Sequence, residues 1–389
     1  MYLLLGLGKA NESIKRYLEK RNVNFYIYDD NLLGYDELND DLLDKVSIVI
    51  KSPGIDNEHF LIKYFKNKSI KIITDLEFYF LNRLYNPFTV IITGTNGKSS
   101  TVKLIRHLIG EGVVCGNIGD SVCNYLECDQ PIIIEVSSYM AEYCFNSKAN
   151  ILGFINIYPN HLRHHHDFDS YLNSKLNLIN GDNDQLVYIN SINKNLFKGY
   201  IVSYYDYLKN YINIDFKYKD NAMLAITIAL NYGINLEIIL KRLKTFEFLE
   251  HRLEEFFKYK DVVFVNDSKS TNIYALNCAL DFYKDKNIIL IAGGKLKEED
   301  VKLKKYQNIK KIYLYGENKL FLRDKLYKYN TNIHVFDNLD NVISNIDDFY
   351  NIDIVLFSPA SESFDQFNNF EERGKYFKKI VLNKFQNML

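Results

Sequence analysis

The stretch "ITGTNGKSST", residues 92–101, places two glycines, a lysine and a run of hydroxyl side chains within ten positions. Gly94 and Gly97 let a backbone bend so that its N–H groups converge on an anion, with Thr95 and Asn96 between them. Lys98 adds a cation, and the hydroxyls of Ser99 and Ser100 follow; that of Ser99 can ligate Mg²⁺. Upstream, "FTVII" reads as a strand; downstream, "KSSTVKLIRHLI" has helical spacing, so the loop lies at a helix N-terminus whose dipole favours negative charge. The strict pattern GxxxxGK[ST] fails because Ile92 stands where its first glycine belongs. The strand–loop–helix setting nevertheless identifies a phosphate-binding loop and predicts a nucleotide, ATP with Mg²⁺.

Further polar groups fall at the ends of apolar runs. Glu135 closes "PIIIE", where a buried carboxylate needs either a hydrogen-bonding loop or a metal ion shared with Ser99. His161 follows "ILGFINIY" at a place suited to facing a nucleotide. Lys175 lies in a helical stretch and, on residue type alone, reads as a surface lysine. His164, His165 and His166 are consecutive, with no ligand set at fixed spacing, which predicts a solvated loop rather than a zinc site. At the amino terminus, "LLLGLGKANES" begins like a dinucleotide fingerprint with Gly6 and Gly8. Asp29 and Asp30 stand about where a ribose ligand would be, but Asn11 occupies the third glycine's place. Polar clusters also end other strands: Ser52–Gly54, Gly116–Gly119, Asn266–Asn272, Gly293–Lys297 and Ser358–Phe367. Each is ordinary turn chemistry taken singly; with Lys269, Thr271, Lys297 and Ser363 among them, they imply a polyanionic substrate spread across domains.

The elements that must position these groups are short apolar runs alternating with amphipathic stretches, the grammar of largely parallel α/β sheets. The 389 residues allow two or three domains. Boundaries are read near Asn86, where "RLYNPFTV" carries one of only five prolines, and near "FEFLEHRLEEF". The expected domains are 1–86, Rossmann-like; 87–248, a P-loop ATPase-type α/β domain; and 249–389, a doubly wound α/β domain. Lys and Arg number 48 against 49 Asp and Glu, a net charge of -1, which advertises neither a nucleic-acid partner nor a membrane surface. Five cysteines without a CxxC pair predict reduced thiols in a cytoplasmic protein. The opening "MYLLLGLGKA" is too short for a membrane span and reads as a first strand rather than a signal.

In order along the chain, "GLGKANES", "SPGI", "TGTNGKSST", "GNIG", "EVSSY", "NHLRH" with "SKL", "HRLE", "NDSKSTN", "GGKLK" and "SPASESFDQFNNFEERGKYF" resemble the Mur ligases. The last segment is the most specific and looks like the D-glutamate-adding branch; the "DNPR" motif of the diamino-acid-adding branch is absent. The resemblance implies an ATP-dependent amide ligase of peptidoglycan precursor synthesis, a cytoplasmic monomer. It would join D-glutamate to UDP-N-acetylmuramoyl-L-alanine through an acyl phosphate. It further implies that Gly94–Ser100, Asn221, Arg252 and Asp267 serve ATP, with Lys98 on its phosphates. Gly8, Lys9, Asp29, Ser52, Pro53, Gly54, Asn117 and His161 would serve the UDP substrate, and Thr271, Lys297, Ser363, Phe364 and Phe370 would serve D-glutamate. Lys98, His161, Lys175 and Lys269 would be catalytic. Ser99 and Glu135 would hold one Mg²⁺, and His161 with a carbamylated Lys175 a second.

The sequence departs from the family's pattern at Asn160, usually acidic, at Met140, usually glutamine, at Asn11, and at Asp30–Asn31, where a pair including arginine is often seen. Other readings of the same motifs are a different amide ligase such as folylpolyglutamate synthase, a P-loop switch protein, and a nicotinamide oxidoreductase.

Overall fold

A computed structural model describes residues 1–389 except 33, 35–39, 181–183, 215, 296–302, 328–331 and 387–389. The chain forms two compact units, Met1–Phe246 and Glu247–Leu389.

The first unit contains two parallel sheets. The smaller has the order β2-β1-β3-β4, built from β1 (Tyr2–Leu5), β2 (Phe25–Tyr28), β3 (Ile48–Lys51) and β4 (Lys71–Ile73). The larger comprises β5 (Thr89–Thr93), β6 (Val113–Gly116), β7 (Ile132–Glu135), β8 (Ile151–Phe154), β9 (Leu186–Ile189) and β10 (Ser203–Tyr204). Its order is β10-β9-β8-β5-β7-β6, so β5 sits between β7 and β8. Near-continuous Ile, Val and Leu in these strands reflect burial on both faces, as parallel sheets require. One apolar core runs from Leu4, Ile50 and Ile73 through Phe78 and Tyr79 to Ile91, Ile134 and Phe154, joining the two sheets. The opposite face of the larger sheet packs Val90, Ile92 and Ile133 against the helices Lys98–Ile109 and Lys219–Asn231. Polar contacts reinforce the junction: the Ser13 hydroxyl donates to Ser121 Oγ at 2.9 Å, and Thr74 Oγ1 donates to the Met140 carbonyl at 2.6 Å.

The second unit is a six-stranded sheet of β11 (Glu254–Tyr259), β12 (Val262–Asn266), β13 (Ile288–Gly293), β14 (Ile309–Tyr315), β15 (Ile333–Val335) and β16 (Ile354–Phe357). The order is β11-β12-β16-β13-β14-β15, parallel except for the antiparallel edge strand β11. Among the described residues no helix is long and apolar enough to cross a membrane, and all five cysteines are unpaired.

Asn11 explains the broken amino-terminal fingerprint. It is fully buried, and its amide donates to the carbonyls of Leu5, Gly6 and Ile50 at 3.2, 2.7 and 3.0 Å. A side chain that ties the first helix to β1 and β3 replaces the close approach a glycine would permit.

Candidate functional site

In the larger sheet the polar groups gather at the carboxyl edge, as ligands do in parallel α/β folds. The loop after β5 bends through Gly94 (φ 146°) and Gly97 (φ 85°), and the helix Lys98–Ile109 begins at once, with no acidic residue in its first turn. Gly97 is needed for space as well as for its angle: a Cβ there would lie 2.4 Å from Asn221 Nδ2. That amide donates to the Gly97 carbonyl at 3.2 Å and to Thr101 Oγ1 at 2.8 Å, so Asn221 braces the loop from the neighbouring helix. Asn156, at the end of β8, holds the other side. Its carbonyl accepts from Thr95 N at 2.8 Å and its Oδ1 from Asn96 N at 2.9 Å. The Thr95 hydroxyl donates to the Tyr158 carbonyl and lies 2.9 Å from the Tyr171 hydroxyl. Ser99 is half-buried and Ser100 buried in the first helical turn.

Two lysines converge on this loop. Lys98 Nζ donates to the carbonyls of Gly94 and Thr95 at 2.9 and 3.0 Å. Lys175, buried in the helix Phe168–Leu176, donates to Thr93 Oγ1 at 3.0 Å and to the Gly94 carbonyl at 3.3 Å. The surface reading of Lys175 is therefore corrected. Burial drives its amine well below the ordinary lysine range, the Lys98 charge pushes the same way, and Glu135 opposes them.

Glu135 is buried at the end of β7. Its Oε1 accepts from Asn117 Nδ2 at 2.7 Å, while Oε2 has no partner among the described residues. A buried carboxylate oxygen left open beside a phosphate loop fits a divalent cation. The buried Asn160 Oδ1 is likewise unpartnered. His161 occupies the left-handed region at φ 58°, a strained conformation of the kind functional sites retain. The Tyr139 hydroxyl lies 3.0 Å from His161 Nδ1, a contact that orients the ring. Tyr139 and Asn156 carried no signal in the sequence beyond their nearness to Glu135 and His161.

The three following histidines are not a solvated loop: His165 is 3% exposed, His164 is half-buried, and only His166 is exposed. His164 Nε2 lies 3.1 Å from Glu142 Oε2. Burial holds His165 down to about 4, so its ring is neutral. Burial pushes the Glu142 carboxyl up, yet His164, Lys51 and Asn57 outweigh it and keep the group below the usual carboxylate range.

At the carboxyl edge of the smaller sheet, Gly8 and Lys9 open the first helix, exposed to solvent. Asp29 accepts from Leu7 N at 2.7 Å and from Asn31 N at 2.9 Å, which shapes the β1 loop. Ser52 is buried, with Pro53 half-buried and Gly54 exposed after β3.

In the second unit, Asp267 follows β12. Its Oδ2 accepts from Ser358 Oγ at 2.8 Å and its Oδ1 from Leu253 N at 3.2 Å. Burial pushes its carboxyl up to about 7 against the pull of Arg252 and Arg373. Arg252, the residue before Leu253, is half-buried. Lys269 Nζ sits 3.8 Å from the centre of the Phe370 ring, a cation–π contact at the start of the helix Phe370–Phe385. Thr271 is half-buried, Ser363 buried and Phe364 exposed. Lys297 lies outside the described residues.

Residues 92–205 match the Mur ligase middle domain. A UDP-N-acetylmuramoylalanine–D-glutamate ligase of Thermosipho melanesiensis is 30% identical, covering 98% of this chain and 97% of that protein. Enzymes of the same name from Fusobacterium nucleatum and Aquifex aeolicus are each 32% identical over 98% of this chain, spanning 99% and 98% of their own lengths. Among solved structures, the MurF ligase of Thermotoga maritima in complex with ADP aligns with a TM-score of 0.59 at 13% identity, covering 100% of this chain and 95% of that one. The UDP-N-acetylmuramate–alanine ligase MurC of the same organism gives 0.56 at 13%, covering 100% and 99%. At those identities the structural likeness speaks for the fold.

Proposed function

The chain belongs to the Mur ligase family, and we propose that the loop after β5, with Lys98, Glu135, His161 and Lys175, carries its chemistry. Its activity is the ATP-dependent addition of D-glutamate to UDP-N-acetylmuramoyl-L-alanine in peptidoglycan precursor synthesis. The observation that carries this is identity of 30–32% running through almost the whole length of D-glutamate ligases.

A carboxylate is a poor acyl donor because oxide is a poor leaving group. The γ-phosphoryl group of ATP passes to an oxygen of the alanine carboxylate, releasing ADP. The amine of D-glutamate, having given up a proton, then attacks the carbonyl carbon. The C–N bond forms, the C–O bond to phosphate breaks, and inorganic phosphate leaves. The loop N–H groups and the helix N-terminus hold the triphosphate, and Lys98 turns from the Gly94 and Thr95 carbonyls toward it. Bound Mg²⁺ supplies positive charge against the repulsion between ATP and the approaching carboxylate. Ser99 and Glu135 are the ligands for one ion, and His161 with a carbamylated Lys175 for a second. The open Glu135 oxygen and the depressed Lys175 amine support this assignment. Gly8, Lys9, Asp29, Ser52–Gly54 and Asn117 are assigned to the UDP substrate. Asn221, Arg252 and Asp267 are assigned to ATP; Thr271, Lys297, Ser363, Phe364 and Phe370 to D-glutamate, and Lys269 to the reacting centre. The corresponding domains are 1–86, 87–248 and 249–389, in a chain assigned as a cytoplasmic monomer; the unpaired cysteines support a reducing compartment.

A phosphate-release assay tests the reading. UDP-N-acetylmuramoyl-L-alanine with ATP should release phosphate with D-glutamate, far less with L-glutamate, and almost none in Lys98→Ala. Phosphate release indifferent to acceptor and amino acid would favour a plain ATPase and refute it.

A further inference from the structure

We propose that Glu142, His164 and His165 form a transition-metal site separate from the phosphate loop. One ligand atom from each lies within 4.8 Å of the other two, an imidazole–imidazole–carboxylate set drawn from two segments of the chain. Two nitrogens and one oxygen suit Zn²⁺ or Co²⁺, which prefer imidazole, over Mg²⁺, which takes oxygen ligands.

Three further observations point to a ligand. His165 Nε2 is buried and has no hydrogen-bond partner among the described residues, so one nitrogen of a ring that belongs to the cluster is left open. Glu142 is held from behind, because its Oε1 accepts from Asn57 Nδ2, and Asn57 Oδ1 in turn accepts from the Tyr143 hydroxyl at 2.8 Å. Such supporting contacts orient a metal-binding carboxylate. Glu142 and His164 are only half-buried, which leaves a way in. The competing account is a simple Glu142–His164 ion pair, and it leaves the His165 nitrogen unexplained. Lys51, which interacts electrostatically with both Glu142 and His165, opposes any cation, so only metals with strong imidazole affinity would hold.

The site has a route to the proposed chemistry. The Tyr139 ring lies 4.5 Å from the His164 ring and 5.7 Å from that of His165, centre to centre, and its hydroxyl meets His161. A bound ion that fixes the two rings also fixes the groove in which Tyr139 orients His161.

The test is a Co²⁺ titration of the full, tag-free, metal-free chain, followed by visible d–d absorption. One equivalent should give a low-symmetry Co²⁺ spectrum that Zn²⁺ abolishes and excess Mg²⁺ does not. The spectrum should persist in Glu135→Gln, which removes the carboxylate of the phosphate-loop site. Affinity should fall by at least about tenfold in Glu142→Gln and His165→Asn, with unchanged circular dichroism. Should His165→Asn fail to fold, the isosteric Glu142→Gln decides alone. No Co²⁺ spectrum in the wild type, a spectrum unchanged in Glu142→Gln, or one lost in Glu135→Gln or on adding Mg²⁺ would overturn the proposal.

Discussion

The amines of Lys98 and Lys175 meet on one acceptor, the Gly94 carbonyl, at 2.9 and 3.3 Å. Burial first, and the neighbouring Lys98 charge second, disfavour the protonated amine, so Lys175 loses its proton far more readily than an exposed lysine. A neutral, nucleophilic amine is what condensation with CO₂ requires. In ¹³C-bicarbonate, the wild type should show one carbamate resonance that Lys175→Ala lacks. Lys98→Ala leaves the burial but removes the lesser, like-charge contribution to the depressed amine, so its carbamate signal should weaken modestly at equal pH. Lys175→Ala should also lower kcat by at least about 100-fold, the scale seen when a charge-stabilising group is removed. A carbamate signal that survives in Lys175→Ala would place the modification elsewhere.

Gly97 and Asn221 give a second prediction. Gly97→Ala introduces a Cβ at φ 85° against Asn221 Nδ2, so both the backbone and the brace must shift. The left-handed conformation alone costs about 1–2 kcal/mol, and the displaced loop should bind ATP at least about tenfold more weakly. Thermal melting and ATP titration read the two effects separately. Wild-type ATP affinity in this variant would show that the loop geometry does not matter.

The loop was legible because its glycines, lysine and hydroxyls are local signals set between a strand and a helix that are also local. The apolar runs "FTVII", "PIIIE" and "ILGFINIY" correspond to β5, β7 and β8 on the same grounds, while β4, β6, β10 and β11 carry weaker signals. The segment "KII" is too short to show a period, "VVCG" breaks on glycine, "SY" is two residues, and "EEFFKY" alternates poorly because it pairs only at one edge. Burial was the harder quantity. Consecutive histidines look solvated, yet Tyr139 and Tyr171 cover His165 from other parts of the chain. Lys175 looked like a surface residue for the same reason. Asn11 registered only as a missing glycine, since its three carbonyl partners come from β1, its loop and β3.

That brace can be tested by restoring the fingerprint. Asn11→Gly removes the amide that donates to three carbonyls, of which that of Leu5 keeps Ser52 N as a donor at 2.8 Å, and loosens the helix start. The expected loss is about 1–3 kcal/mol, read by urea unfolding, with ATP affinity little changed because the phosphate loop belongs to the other sheet. Equal or greater stability in Asn11→Gly would mean that the asparagine is incidental.

Asp267 makes the last prediction, one of pH. Burial raises its folded carboxyl to about 7, above the ordinary 3.8, although the Ser358 hydroxyl, the Leu253 N–H, Arg252 and Arg373 all favour the ionised form. Its contribution to stability is therefore fully present below about pH 4, declines as the unfolded chain ionises first, and is gone above about pH 7. The penalty above that point is on the order of a few kcal/mol. Asp267→Asn cannot ionise and can keep both hydrogen bonds, accepting from Leu253 N and donating to Ser358. The difference in melting temperature between variant and wild type should thus move in the variant's favour from pH 5 to pH 8. A difference that stays flat over that range would mean that Asp267 is already ionised in the folded protein at pH 5.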